Sequence, residues 1–167
     1  DVESLRGEHR RVENVRLPAN KEIVLENVQG NTMEFIAEID PQGAPMVELQ
    51  VLRSPNCEEF TRITFQQGRG YRRRSAITID NTRSSVLPDV SSRVPETAQF
   101  TLGQDEPLRL RVFVDRTVVE VFANGRQYAA LRVYPGRDDS VGVSLRAQGS
   151  DAELRSLDAW QMKSIYE

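Results

Sequence analysis

Two carboxylates, Asp115 and Glu120, lie on either side of a short turn and are the best local candidates for catalytic chemistry in this chain. Paired carboxyl groups can act as general acid and as base or nucleophile in hydrolysis when their environments separate their pKa values. The same spacing fits a structural arrangement in which Asp115 caps the turn and Glu120 pairs with an arginine on the same sheet face, such as Arg111 or Arg132. We favour the structural arrangement and assign no catalytic residue.

Other catalytic and metal chemistry finds little support among the remaining residue types. His9 is the only histidine and Cys57 the only cysteine, so a Ser-His-Asp site, a Cys-His site and a zinc site are not expected. Asp40, or Asp138 with Asp139, could give oxygen ligands to calcium, but their spacing lacks an ordered ligand pattern and is better explained by turns. We therefore predict no bound metal and no cofactor.

Charge and hydropathy argue against two classes of partner. The 167 residues include 22 Lys or Arg and 25 Asp or Glu, which gives a formal net charge of −3. A nearly balanced surface argues against nucleic-acid binding, and no apolar run approaches the ~20 residues of a membrane helix. The densest basic cluster, Arg69 and the arginines at 72–74 beside Tyr71, is interpreted as an exposed loop or edge-strand feature. We expect no nucleic acid and no membrane partner.

The segment 108–134 predicts three consecutive antiparallel strands. In its first strand, every second residue is apolar, which leaves one face for a core: Leu108, Leu110, Val112 and Val114. Residues 115–117 offer a tight reversal, and Asn124 with Gly125 supplies the pair that tolerates positive φ in a two-residue hairpin. The chain then returns from 127 to 134 in a further strand.

The rest of the chain carries short strand candidates at the spacing of a sandwich. They cover residues 23–28, 33–40, 47–51, 61–65, 76–80, 141–145 and 152–162. Residues 81–97 lack any period and predict a long irregular loop, a kind that is often functional or interfacial. No segment keeps a helical period over three turns. The chain is therefore predicted to be all-β, a two-sheet antiparallel β-sandwich of the jelly-roll or concanavalin-like type.

Polarity predicts the domain boundary. Residues 1–11 are polar and are assigned to a linker from an upstream domain that this sequence lacks, and residues 12–167 are assigned to the sandwich. A single cysteine cannot form an intrachain disulfide, so its count leaves both a secreted and a cytoplasmic location open.

Several segments resemble the C-terminal β-sandwich module of glycoside hydrolase family 32, the invertase, inulinase and fructanase family. They follow the family's order over nearly the whole chain: Glu3-Ser4-Leu5-Arg6, Ala76-Ile77-Thr78-Ile79-Asp80 with Arg83-Ser84-Ser85, Val112-Phe113-Val114-Asp115-Arg116, Val119-Glu120-Val121-Phe122, Asn124-Gly125-Arg126, Arg132-Val133-Tyr134-Pro135 and Leu157-Asp158-Ala159-Trp160-Gln161-Met162. One departure is Thr117, where the family usually carries serine, and both hydroxyls serve a turn.

The resemblance implies a non-catalytic role for this chain in a larger hydrolase. The family's catalytic acids lie in N-D-P-N-G, R-D-P and E-C motifs of a separate five-bladed propeller. This sequence contains none of them: its nearest approach to R-D-P is Arg137-Asp138-Asp139, and Cys57 precedes Glu58. The implied parent is a β-fructofuranosidase-type enzyme that cleaves fructosyl bonds of sucrose, inulin or levan without a cofactor. The implied partner is its N-terminal catalytic propeller, which the sandwich packs on and stabilises, with homo-oligomerisation as a further role.

An autonomous carbohydrate-binding module, directed at fructan or another sugar, is the alternative function. Sugars stack their C–H faces on exposed aromatic rings, and the weak carbohydrate or interface candidates are Tyr71, Tyr128, Tyr134 and Trp160. Tyr128 and Tyr134 lie on the polar face of their strand together with Arg132. Trp160 is expected to be buried, either in the core or at a domain interface.

Overall fold

The computed structural model of the chain describes residues 1–68 and 74–164. In these ranges the chain forms twelve strands and one short 3-10 helix, Val2–Leu5. The strands are β1 (Arg6–Leu17), β2 (Glu22–Gln29), β3 (Thr32–Asp40), β4 (Met46–Arg53), β5 (Thr61–Gln66), β6 (Ser75–Asp80), β7 (Glu96–Phe100), β8 (Leu108–Asp115), β9 (Val118–Ala123), β10 (Gln127–Arg132), β11 (Gly142–Gln148) and β12 (Ala152–Met162). Tyr71 and most of the basic cluster around it lie outside the described residues. Within the part described, no helix is long and apolar enough to cross a membrane.

The strands of the described ranges form two six-stranded antiparallel sheets. The first sheet has the order β1-β12-β3-β8-β9-β10 and the second the order β2-β11-β4-β5-β6-β7. The predicted two-sheet antiparallel sandwich is confirmed. The described chain passes between the two sheets several times, and β12 pairs with both β1 and β3. The sandwich therefore depends on pairings between strands that are distant in sequence.

The core lies between the sheets and is filled by their inward rows. The predicted row on β8 is at most 2 % exposed, and the second sheet opposes it with an equally buried row: Ile63, Phe65, Ile77 and Ile79. Burial of each such side chain contributes roughly 1.5–3 kcal/mol. The alternation also fixes the register of β8, because a slip of one residue would turn Arg109 and Arg111 into the core.

The hairpin between β9 and β10 contains the predicted positive-φ pair. Asn124 has φ 51° and Gly125 has φ 64°, and the N–H of Arg126 donates to the carbonyl of Ala123 at 3.0 Å. Gln127 pairs with Ala123, so the loop contains three residues and the prediction of two was wrong. Arg126 is the extra residue that joins the turn to the returning strand.

The first sheet begins earlier than the predicted linker boundary. Residues 6–11 form the first half of β1, which pairs with β12 from Arg6 to Leu17. Since β1 is an edge strand, only a few of its side chains pack inward, among them Val12 and Val15. Charged residues are common on such edges because they discourage pairing with another chain. The polar composition of residues 1–11 therefore predicted the start of the sandwich too late in the chain. A linker role stays a prediction only for the residues before β1.

The predicted irregular loop is confirmed but ends at residue 95, because β7 begins at Glu96. Asn81 holds both ends of this loop near the first sheet. Its Oδ1 accepts a hydrogen bond from the N–H of Arg93 at 3.0 Å, and its Nδ2 donates to the carbonyl of Arg132 at 3.3 Å. The loop is thus an ordered part of one end of the sandwich.

Candidate interface on the outer face of the first sheet

Aromatic and charged side chains lie together on the outer face of the first sheet. Residues that oppose one another in an antiparallel sheet share a face, and the register defines two rows that we call the outer rows. The first row is His9, Trp160, Glu34, Phe113 and Glu120, and the second is Arg11, Asp158, Ile36, Arg111, Phe122 and Tyr128. These rows contain two of the predicted candidates, Trp160 and Tyr128.

Glu34 is fully buried on this face and is bound by two arginines. Arg6 donates from Nε to Oε2 at 2.9 Å and from Nη2 to Oε1 at 2.8 Å, and Arg111 donates from Nε to Oε1 at 2.7 Å. Burial opposes the charge of Glu34, but the two guanidinium groups outweigh burial and lower the pKa of its carboxyl. Sequence reasoning missed this cluster, because Glu34 occupies an ordinary polar position in the alternation of β3.

Trp160 lies between Arg6 and His9 on the outer face. The guanidinium carbon of Arg6 is 4.0 Å from the indole centroid, a cation–π contact. The His9 ring stacks on the indole with centroids 5.1 Å apart, and its Nε2 lies 2.7 Å from Oδ1 of Asp158. His9 therefore helps to order the edge of the sheet, although the sequence indicated only a surface residue in a linker.

A bulge in β12 explains why Trp160 is not in the core. The register with β3 shifts between Leu154 and Ser156, so the alternation of side chains reverses there. Leu154 and Leu157 both face the core, and Trp160 consequently points outward and is partly exposed. The expectation of core burial was wrong, and the expectation of a domain interface stays a prediction.

The part of this face beyond Arg111 is aromatic and open. Phe122 is 37 % and Tyr128 46 % exposed, their ring centroids are 4.8 Å apart, and Phe113 meets Phe122 edge-on at 6.1 Å. The Tyr128 hydroxyl donates to Oε1 of Glu120 at 2.7 Å, a bond that raises the pKa of the tyrosine. Glu120 is therefore bound by a tyrosine and not by the arginine that we predicted.

The carboxylates of Asp115 and Glu120 are not held together. Asp115 pairs with Val118, whereas Glu120 pairs with Phe113. Asp115 is exposed and Glu120 is half-buried. Water reaches both carboxylates and screens their charges, so they do not form the dry pocket that acid–base catalysis of glycoside hydrolysis requires.

The N-terminal segment of the chain borders the same face. Asp1, Val2 and Glu3 line one side of a groove of ≈ 680 Å³, and Val2 is 47 % exposed. The opposite side of the groove comes from strands and turns of the first sheet: Ile36, Arg109, Arg111, Phe113, Phe122 and Gly125. The chain therefore enters the sandwich next to the exposed aromatic residues.

The remaining predicted candidate, Tyr134, lies just beyond the end of β10. It is 46 % exposed, as its place on the polar face of that strand predicted. Cys57 lies in the loop between β4 and β5, where its Sγ is 3.6 Å from Oε1 of Gln50. Neither residue lies in the outer rows.

A second fully buried carboxylate, Glu59, joins three loops at one end of the sandwich. It accepts hydrogen bonds from the N–H groups of Val86 at 2.8 Å, Gly136 at 3.0 Å and Arg137 at 2.8 Å, and from the Ser140 hydroxyl at 2.6 Å. Burial opposes its charge, but these hydrogen bonds outweigh burial and lower the pKa of Glu59. The loop ends are thereby fixed to one another.

The two fully buried carboxylates, Glu34 and Glu59, stabilise the structure and do not form an acid–base pair. Glu34 belongs to the first sheet, whereas Glu59 lies two residues before β5 of the second. Both have a lowered pKa, while a general acid at neutral pH needs a raised one. In residues 1–68 and 74–164, no three His, Cys, Asp or Glu side chains come together as metal ligands would.

Comparison with known proteins identifies the family. The chain matches the family model described as glycosyl hydrolases family 32 C terminal over residues 1–161. A levanase of Bacillus subtilis (strain 168) is 28 % identical over 172 aligned residues, which cover 99 % of this chain and 24 % of the levanase. The β-fructofuranosidase, insoluble isoenzyme 1, of Oryza sativa subsp. indica is 33 % identical over 134 residues, which cover 74 % of this chain and 23 % of that enzyme.

Solved structures share the fold. The crystal structure of fructan 1-exohydrolase IIa from Cichorium intybus superposes with a TM-score of 0.86 at 15 % identity, and the match covers 98 % of this chain and 37 % of that one. This chain spans about a quarter of the length of the two curated relatives. As the sequence resemblance predicted, the chain belongs to the C-terminal domain family of the family 32 glycosyl hydrolases.

Proposed function

We propose that this chain is the non-catalytic C-terminal β-sandwich of a β-fructofuranosidase-type glycoside hydrolase. In this proposal it packs on an N-terminal catalytic propeller of the same protein and stabilises it. The parent hydrolyses fructosyl bonds of sucrose, inulin or levan. Family membership and the names of the relatives, a levanase and a β-fructofuranosidase, support this substrate class.

The observation that carries the packing proposal is the position of the N-terminal segment beside the exposed aromatic residues. A domain joined to the chain before Asp1 is held close to the groove that Asp1 and Val2 border. Exposed Phe122 and Tyr128, with Arg111 beside them in the second row, are residue types enriched in protein interfaces. Burying them would remove apolar surface that the sandwich alone leaves in water.

The state of the carboxylates supports a non-catalytic role. Glu34 and Glu59 are fully bound by arginines, by backbone N–H groups and by a serine hydroxyl. The pair favoured by sequence, Asp115 and Glu120, lies on an open face. Glu34 and Glu59 have a lowered pKa, and Asp115 and Glu120 lack a dry pocket, so none of the four groups is arranged to protonate a glycosidic oxygen.

The test compares the parent enzyme with the isolated chain. Replacing both Phe122 and Tyr128 by serine should lower the Tm of the parent, because each buried aromatic contributes roughly 1.5–3 kcal/mol. The same double variant should cost the isolated chain less, because only the contacts within the sheet are lost there. Val24→Ser is the matched control, since Val24 is 44 % exposed on β2 of the other sheet.

Two results would contradict the proposal. One is an equal loss of stability in the parent and in the isolated chain, which would show that no domain covers this face. The other is hydrolysis of sucrose, inulin or levan by the isolated chain that is abolished by Asp115→Asn or Glu120→Gln.

A further inference from the structure

We propose that a polar groove at the open side of the sandwich binds a neutral sugar. The groove has a volume of ≈ 470 Å³ and lies between β1, β12 and the turn that joins β2 to β3. This volume falls in the range of about 300–1,000 Å³ that is usual for small-molecule sites. The choice of fructan as the sugar rests on the proposed function, whereas the site itself rests on the chemistry of the groove.

The groove exists because the inward side chains of β1 change from charged to apolar along the strand. Val12 opposes the buried Leu157 and packs against the core, but Arg10, two residues earlier on the same face, opposes the small Ala159. A charged residue opposite a small one cannot fill the space between the sheets. The edges of β1 and β2 therefore stay apart here and leave an opening to solvent.

The floor of the groove is apolar. Val28, Met33 and Ala159 line it and are at most 4 % exposed, so only small apolar areas reach the opening. A sugar ring offers C–H groups on one face and hydroxyl groups around its edge. A small apolar floor suits the C–H face and leaves the hydroxyl groups to the rim.

The rim of the groove carries four primary amides: Asn27, Gln29, Asn31 and Gln161. Each amide both donates and accepts hydrogen bonds, as each sugar hydroxyl does. Glu8 and Arg10 on the same rim form an ion pair, and Glu26 adds one carboxylate to the lining. This carboxylate disfavours an anion and can accept hydrogen bonds from sugar hydroxyl groups, so the rim matches a neutral polyhydroxylated ligand better than an anion.

The position of Gln161 is set by its neighbours on the turn. Its Nε2 donates to the carbonyl of Gln29 at 2.6 Å, which ties β12 of the first sheet to β2 of the second. A Cβ at Gly30 would lie 2.9 Å from Oε1 of Gln161. With a side chain at position 30, the flexible end of Gln161 would have to shift from its place at the mouth of the groove.

An inward charge on an edge strand also has a protective use, because it discourages pairing with a second molecule. Arg10 could serve that purpose without any ligand. If Arg10 is protective, its substitution should increase self-association. If it belongs to a sugar site, its substitution should change ligand binding. The experiment has to measure both.

The experiment is a titration of the ¹⁵N-labelled chain with inulin-derived oligosaccharides, followed by amide chemical shifts, with maltotriose as the comparison sugar. We expect saturable shifts at residues 27–31 and at Gln161. Asn27→Ala should weaken binding about fivefold, the effect of losing one net hydrogen bond. Gln66→Ala is the matched control, since Gln66 is exposed on the second sheet and should bind like the wild type.

Three results would overturn the proposal. The first is the absence of shifts at the groove residues with about 10 mM of either sugar, a concentration above the ~1 mM dissociation constant of a weak complex. The second is a set of shifts confined to Phe122 and Tyr128. The third is self-association of Arg10→Ala together with no effect of sugar. Equal binding of maltotriose would keep the neutral-sugar site and reject fructan as its ligand. Domain packing is measured separately by Tm, so the two proposals fail independently.

Discussion

Arg6 on β1 binds Glu34 on β3 with two hydrogen bonds of 2.9 and 2.8 Å, although β12 lies between these strands. The guanidinium group crosses over Trp160 of the intervening strand at 4.0 Å. One charged residue thus joins three strands of the first sheet. The edge strand β1 is held by this side chain in addition to its backbone pairing with β12.

Glu34→Gln should destabilise the chain strongly. The substitution leaves the guanidinium groups of Arg6 and Arg111 without their shared carboxylate, and breaking a buried ion pair costs about 3–5 kcal/mol. We expect about 2–4 kcal/mol here, since Arg111 is partly exposed and water can solvate its guanidinium group. Urea unfolding measures this loss.

Glu38→Gln is the control for that substitution. Glu38 lies on the same strand, is partly exposed and is 3.7 Å from Arg155, and such surface pairs contribute about 0–1 kcal/mol. Similar losses for Glu34→Gln and Glu38→Gln would show that the buried cluster has no special importance.

The stability of the chain should fall in acid because of Glu34 and Glu59. Both carboxyl groups have a lower pKa in the folded state than in the unfolded state, so the unfolded state binds more protons as the pH falls. Their contribution is complete well above the unfolded value of about 4.3 and is lost as the pH falls through the folded pKa. Urea unfolding from pH 7 to pH 3 should show this decline, with a shallower slope in Glu34→Gln and in Glu59→Gln. An unchanged slope in both variants would refute the assignment.

Glu59→Gln should loosen three loops at once. Its side-chain amide would turn an NH₂ group toward N–H donors that now meet a carboxylate oxygen, and a buried donor without an acceptor costs about 1–3 kcal/mol. Hydrogen exchange at Val86, Gly136 and Arg137 should accelerate together, because these N–H groups donate to Glu59. Asp89→Asn, at an exposed position of the loop that contains Val86, should leave their exchange nearly unchanged. Faster exchange in only one loop would contradict a shared anchor.

Local patterns predicted the parts of the fold that local chemistry determines. The row from Leu108 to Val114 is buried as its period of two indicated, and Asn124 with Gly125 adopts the positive φ that the pair tolerates. These features depend on residues near one another in sequence. The fold class followed from them because a series of short strands without helices has few ways to bury its apolar faces.

Features that depend on distant residues were not predictable from local patterns. Glu34 is buried only because Arg6, 28 residues earlier, and Arg111, 77 residues later, cover it. Glu59 is buried because loops more than 25 residues away donate to it. The bulge that turns Trp160 outward is visible only once β12 is paired with β3. A polar edge strand and a polar linker have the same composition, which explains the boundary error at residue 11.

Two glycines with positive φ should respond differently to alanine. Gly125 has φ 64° and no atom within 4 Å of an added Cβ, whereas Gly149 has φ 80° and an added Cβ would lie 3.0 Å from Cγ of Pro45. Left-handed backbone alone costs an L-residue about 1–2 kcal/mol, so Gly125→Ala should lose about 1 kcal/mol after the gain from a stiffer unfolded chain. Gly149→Ala should lose more, because contact with the proline ring adds to the backbone term. Denaturant midpoints of both variants measure the difference in stability. A larger loss of stability for Gly125→Ala than for Gly149→Ala would show that the space around Gly125 is not open.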